Sequence, residues 1–458
     1  MMPANLTQPA PSIFRRFLRL VGVDRAIGYT VLARVWSSSA GLITVALIAR
    51  FLSPAEQGYY YTFGSLVALQ IIFELGFSVV ILQLSAHEAA HLSLSEDGHV
   101  SGPALAHARL ASVLRKSLKW YGVASILMGS LLIPIGWHFF ASASVTSGSV
   151  AWQLPWIAVV LASSITFQID PMFSFLEGCG FVPKVARTRF AQSILGSLLA
   201  WSALAMHHGL FAPACLIGGQ AIAGLIWLYL RRRLLLNLVR HSVGPLAIDW
   251  WREVWPFQWR IAVSFACGYF IFQLFNPILF RYAGPAAAGR MGMSINISNA
   301  LASIAIAWIN TKAAPFGTLI ARREFTRLDR LFFRSAAQAF ILCFIGSIAV
   351  WSVAFFLNQH HIAFAQRLLP PLPFALLLLS MNINQMVASM ALYLRAHKQE
   401  KFLINSVIGA ICVTASSILL GRRFGALGMT AAQLAITLVV GLGYGSFVFF
   451  KYRRIWHA

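Results

Sequence analysis

Acidic residues are scarce: Asp and Glu together number 13 in 458 residues, and all charged residues make up 11%. A soluble domain carries about 25% charged residues, so a water-facing globular surface is excluded. Cysteine is thin as well. Cys179, Cys215, Cys267, Cys343 and Cys412 are scattered over separate apolar stretches without paired spacing. That excludes a disulfide or cysteine-metal framework and leaves them as small hydrophobes. Residues 1–27 contain Arg15, Arg16, Arg19 and Arg25 but lack an apolar core followed by a small-residue cleavage site, so no cleavable signal is read there. Phe14, Phe17, Leu18 and Val21 fall at i, i+3, i+4 and i+7, the pattern of an amphipathic helix lying on a membrane surface.

Hydrocarbon is what the chain does have. It is 59% hydrophobic with a mean hydropathy of +0.72. Apolar windows of about 20 residues, enough to cross about 30 Å of lipid, recur twelve times. They lie near 28–51, 59–85, 117–140, 152–176, 189–206, 212–230, 256–280, 286–318, 335–357, 370–394, 403–420 and 428–450. The expected fold is an all-α polytopic membrane protein. Its parts are a segment at 1–27, a first lobe of six helices at 28–230, a linker at 231–255, a second six-helix lobe at 256–450 and a tail at 451–458.

A formal charge of +23 invites a nucleic-acid reading until the cations are placed. Of 36 Lys and Arg, 27 fall in the alternate loops that share a side with both termini. Six fall in the opposite loops, and Arg34, Arg260 and Lys312 lie within apolar windows. This is the positive-inside asymmetry, which places both termini in the cytoplasm. The excess charge reports topology and contact with anionic membrane lipids, and no nucleic-acid partner is expected.

The loops opposite the termini are short, with no room for a folded catalytic domain, and no enzymatic activity or cofactor is expected. Pro54-x3-Gly58 follows one apolar window and opens the next, and Pro285-x3-Gly289 repeats it. Phe175-Leu176 with Lys184 resembles Tyr393-Leu394 with Lys401, and His208-Gly209 resembles Phe424-Gly425. An ordered set of this kind implies two parallel six-helix halves, with substrate sites near the repeat interface.

The stretch LSPAEQGYYYTFGSL, followed by FELGFSVVILQLSA, resembles the first helical hairpin of the polysaccharide (O-antigen type) flippase family of the multidrug/oligosaccharidyl-lipid/polysaccharide exporter superfamily. The resemblance implies two lobes around a central, often cationic cavity and movement of a lipid-linked oligosaccharide between leaflets. Other polysaccharide-assembly proteins become candidate partners. Glu74 stands where that family often has Asp, and the connection at 86–116 is unusually long.

Polar residues inside the apolar windows fall on common arcs at 100° per residue. Arg34, Ser37, Ser38 and Gly41 share one; Gln70, Glu74 and Ser78 another; Asn296, Asn299, Ser303 and Asn310 a third; Asn382, Gln385 and Ser389 a fourth. The neutral stripes read equally as bonds between helices. Guanidinium binds phosphate bidentately, so Arg34 and Arg260, with Lys312, are expected to hold a polyprenyl pyrophosphate. The asparagine stripe, with Asn382 and Gln385, is expected to contact glycan. Glu74 and Asp170 are candidates for an H+ or Na+ site, set against a purely structural pairing. One motif points elsewhere: His87-Glu88-Ala89-Ala90-His91 matches HExxH, but Leu94 and Asp97 occupy the positions where a metzincin continues with Gly and His. Two other readings remain open, an ion-coupled drug antiporter of the same fold and a membrane glycan polymerase or ligase.

Overall fold

The computed structural model describes residues 25–95, 99–144, 150–241, 248–397, 399 and 401–457; the side chain of Arg34 is outside that description, as is the surface helix expected within 1–24. Long apolar helices dominate. Eight are long and apolar enough to span a bilayer, and the bent pair Pro54–Glu74 and Phe77–Ala89 makes a ninth. Two of the eight are each a pair of spans joined at a glycine of positive φ, Gly180 (90°) and Gly425 (58°). With the helix Arg25–Phe51 the described residues form the twelve spans expected.

Each span begins and ends for a local reason. The second opens on a capping box: Ser53 Oγ accepts from the Glu56 amide at 3.2 Å, and the Ser53 amide donates to the Glu56 carboxylate at 2.8 Å, with Pro54 at the first helical position. It breaks by 45° at Leu75 (φ 52°) and Gly76 (φ 69°). The eighth span breaks at the corresponding place in the second half. Pro285–Asn310 ends at Thr311 and Lys312, and Ala313–Ala321 continues. Pro315, which lacks the N–H that would bond the Thr311 carbonyl four residues back, accounts for this break.

The repeated turns meet. The helices starting at Pro54 and Pro285 pack against each other at one end of the molecule. Gln57 Nε2 donates to the carbonyls of Gly289 (2.9 Å) and Arg367 (3.0 Å), and Asn276 Nδ2 donates to Ser65 Oγ at 3.0 Å in a buried contact between the halves. Beneath them Tyr59 meets Phe280 edge-on at 4.8 Å, and Phe140 lies 5.3 Å from Phe280 and 5.4 Å from Tyr59. This end is closed by apolar packing between the lobes.

At the opposite, basic end the third span is extended into the helix Ala104–Ser144 of 41 residues, about 60 Å long at 1.5 Å per residue. Its extension explains the long 86–116 connection: it holds the linker between the lobes. Arg115 donates to the carbonyls of Val239 and His241, and Lys116 to that of Ile248. Leu234 and Leu238 of the short helix Arg232–Arg240 are buried. Trp250 stacks on Phe77 at 5.1 Å, which stacks on Trp120 at 5.3 Å. The linker is thereby tied to the segment that follows the break in the second span.

Candidate functional site

Two cavities open in equivalent helix sets of the two halves. The first, about 170 Å³, lies among the first, second, fifth and sixth spans, with Asn296 from the eighth. Its polar lining is Ser37, Thr44, Ser193, Ser197, Gln220 and Asn296. Thr44 Oγ1 accepts from Trp201 Nε1 at 2.8 Å, and the buried Tyr61 hydroxyl has no partner among the described residues. The second cavity, about 490 Å³, lies among the seventh, eighth, tenth, eleventh and twelfth spans, with Ile71 from the second. Phe265, Ile271, Phe272, Val413 and Val440 make it largely apolar, and its amides are Asn310, Asn384 and Asn405.

The asparagine stripe of the eighth span connects the two. Asn296 lines the first cavity and Asn310 the second, about 21 Å apart along the helix, with Asn299 and Ser303 exposed between them. Arg260 is exposed, its guanidinium 5.5 Å from the Trp259 ring. It stands one turn from Ser264, which lines the second cavity. Lys312 sits at the break of the eighth span, 5.8 Å from the Trp308 ring, beside the electronegative end of Pro285–Asn310. Arg34 lies on the first span, one turn before the cavity-lining Ser37.

The tenth span departs from expectation. Asn382 and Gln385 are each 2% exposed and line neither cavity; Asn382 Nδ2 donates to Ser347 Oγ of the ninth span at 2.8 Å. The arc facing the second cavity is Asn384, Val387, Ala388, Ala391, Leu392 and Arg395. Asn382 therefore braces the tenth span against the ninth. A lone amide in an apolar arc ending at an arginine was the signal for the cavity face, and counting aligned polar residues passed over it.

Glu74 lies beside the break of the second span and accepts from Ser78 Oγ at 2.8 Å, which lies 3.2 Å from the Tyr121 hydroxyl. Leu75 in the left-handed region carries strain of about 1–3 kcal/mol. Gly76 is required there, since a β-carbon on it would stand 2.5 Å from Ile261 of the seventh span. Asp170 is exposed and in electrostatic reach of both Glu74 and Arg189, and Arg189 approaches Glu177 at 3.5 Å. The two predicted carboxylates thus belong to one cluster across the second to fifth spans. Glu88 of the HExxH match is otherwise engaged: it is buried against Arg109 Nε at 2.8 Å, and Arg109 also bonds Glu253 at 2.6 Å. Among the described residues no group of three or more His, Cys, Asp or Glu side chains could hold a metal ion.

No protein-family model and no curated protein match the chain in sequence. Solved structures match it in fold. A multidrug resistance MATE family transporter of the MOP superfamily, in an inward-facing conformation, superposes with a TM-score of 0.65 at 12% identity, over 93% of this chain and 99% of that one. The lipid II flippase MurJ, inward closed, gives 0.66 at 11% identity, over 93% and 87%. The MATE multidrug transporter DinF-BH gives 0.57 at 15%, over the full length of both. The chain has the two-lobed, twelve-span fold of these MOP-superfamily transporters.

Proposed function

We propose that this chain is a flippase that moves a polyprenyl-pyrophosphate-linked oligosaccharide or polysaccharide precursor from the cytoplasmic to the outer leaflet by alternating access. The observation that carries this reading is the unequal polarity of two equivalent cavities joined by one amide stripe, which suits a substrate polar at one end and apolar at the other. Arg34, Arg260 and Lys312 hold the pyrophosphate, and Asn296, Asn299, Ser303 and Asn310 contact the glycan. Asn382 acts from behind, bracing the tenth span against Ser347, with Gln385 buried on the same side. Glu74 and Asp170 form the coupling site for H+ or Na+. In this reading the closed end carrying the two Pro-x3-Gly turns faces the outer leaflet, and the basic end faces the cytoplasm, where the substrate is made.

The test is reconstitution into vesicles loaded with a labelled polyprenyl-pyrophosphate oligosaccharide, with leaflet position read by a membrane-impermeant oxidant of the sugar. Transfer faster than in protein-free vesicles is expected. A leaflet distribution identical to that of empty vesicles, with proton and sodium gradients imposed in turn, overturns the proposal.

A further inference from the structure

The second cavity has a polarity gradient of its own. At its basic end, where the tenth span finishes and the eleventh starts, stand Arg395, Asn405 and Ser406, with Arg260 one turn from the lining on the seventh span. Deeper in, the walls are Ile271, Phe272, Val413 and Val440, opened by glycines on three helices: Gly268, Gly409 and Gly441. A β-carbon on Gly268 would meet nothing within 4 Å, so this side of the slot is empty space. Asn405 is 7% exposed, its Oδ1 has no partner among the described residues, and it lines the slot.

We propose that this slot seats the phosphate-proximal part of the polyprenyl chain, with the chain lying along Gly268 and Gly409 and the phosphate held at the mouth by Arg395 and Arg260. The proposal rests on the flippase reading and adds where the lipid goes. The equivalent cavity of the other lobe mixes Ser37, Thr44, Ser193, Ser197, Gln220 and Asn296 with Ala40, Val45, Ile48 and Leu216, so it offers a sugar more polar partners and a hydrocarbon chain less apolar wall. One cationic mouth on one slot fits a single-chain lipid phosphate. A two-chain phospholipid would have to leave its second chain outside.

The experiment measures binding of a sugar-free polyprenyl monophosphate to the purified protein by native mass spectrometry, with phosphatidylglycerol as competitor. Wild type is expected to bind. Gly268→Phe, which fills the slot, and Arg395→Gln, which removes a charge at its mouth, are each expected to weaken binding roughly tenfold or more, the loss of one charge-assisted bond or of the chain's seat. Unchanged binding in both variants, no binding by wild type, or equal displacement by phosphatidylglycerol overturns the slot. Glycolipid transfer in vesicles is scored separately. Transfer without the slot's signature sinks this inference alone, whereas slot binding without transfer supports it and sinks the flippase reading.

Discussion

The amide nitrogen of Gly58 lies 2.9 Å from where a β-carbon on Gly289 would stand, and a β-carbon on Gly58 would fall 2.0 Å from the Pro285 carbonyl oxygen. The repeated Pro-x3-Gly turns are thus each other's packing surface. Only glycine lets the two backbones approach this closely, so the motif is a contact between halves as well as a mark of duplication.

Gly58→Ala and Gly289→Ala should each disfavour the closed end. Overpacking costs about 1–3 kcal/mol, a shift of about 5- to 150-fold toward the opened state. A cysteine placed at Asn276, buried beneath the turns, should then react faster with an impermeant maleimide applied from the side of the turns. Labelling at the wild-type rate would mean that this contact does not control access.

Glu74 and Asp170 lie within electrostatic reach of each other, with Arg189 the counter-charge to Asp170. If they load an ion, Asp170→Asn should abolish the dependence of transport on an imposed proton or sodium gradient while leaving substrate binding intact. Glu74→Gln should do the same less completely, because Ser78 still bonds the amide. Loss of binding together with coupling would instead mark a brace between helices.

The number of spans, the two halves and the recurrence of the turn were all legible, because hydropathy and helix-breaking residues act locally. The sides of the helices were less so. On the eighth span Asn296 and Asn310 face cavities because few packed neighbours compete for that arc. On the tenth, Asn382 is drawn to Ser347, a partner 35 residues away in sequence that no periodicity within one helix reveals. The interruption of the second span was also hidden, because Leu75 takes a conformation its side chain disfavours and only contact with the seventh span holds it there.

The tenth span allows a direct contrast. Asn382→Ala leaves Ser347 unpaired in a buried place and should cost about 1–3 kcal/mol of stability, seen as a lower midpoint in a thermal unfolding assay, with substrate affinity unchanged in the folded fraction. Asn384→Ala should leave the midpoint alone and lower affinity. The reverse pattern would return the cavity face to Asn382.

Arg34→Ala should reduce transfer to background with membrane insertion intact, and Arg34→Lys should restore part of it, since an ammonium keeps the charge but not the bidentate geometry. Full transfer in the alanine variant would remove Arg34 from the pyrophosphate site.

The linker gives a prediction in pH. The hydrogen bond from Arg109 holds the Glu253 carboxyl below its ordinary range, and Glu253 also accepts from the Asp249 amide at 3.0 Å. A carboxylate whose folded pKa is depressed contributes stability that is fully present above its unfolded value and is lost as the pH falls through the folded one. Hydrogen exchange at Asp249 should therefore be slow at neutral pH and speed up, relative to the intrinsic rate, only once the pH drops below the usual glutamate range. In Glu253→Gln the pH dependence should disappear, leaving faster exchange at neutral pH. Arg115 would still bond the carbonyls of Val239 and His241, so the linker should loosen at Asp249–Val254 while Arg232–Arg240 stays protected, and equal exchange in both segments would show that the two parts of the linker are not held separately.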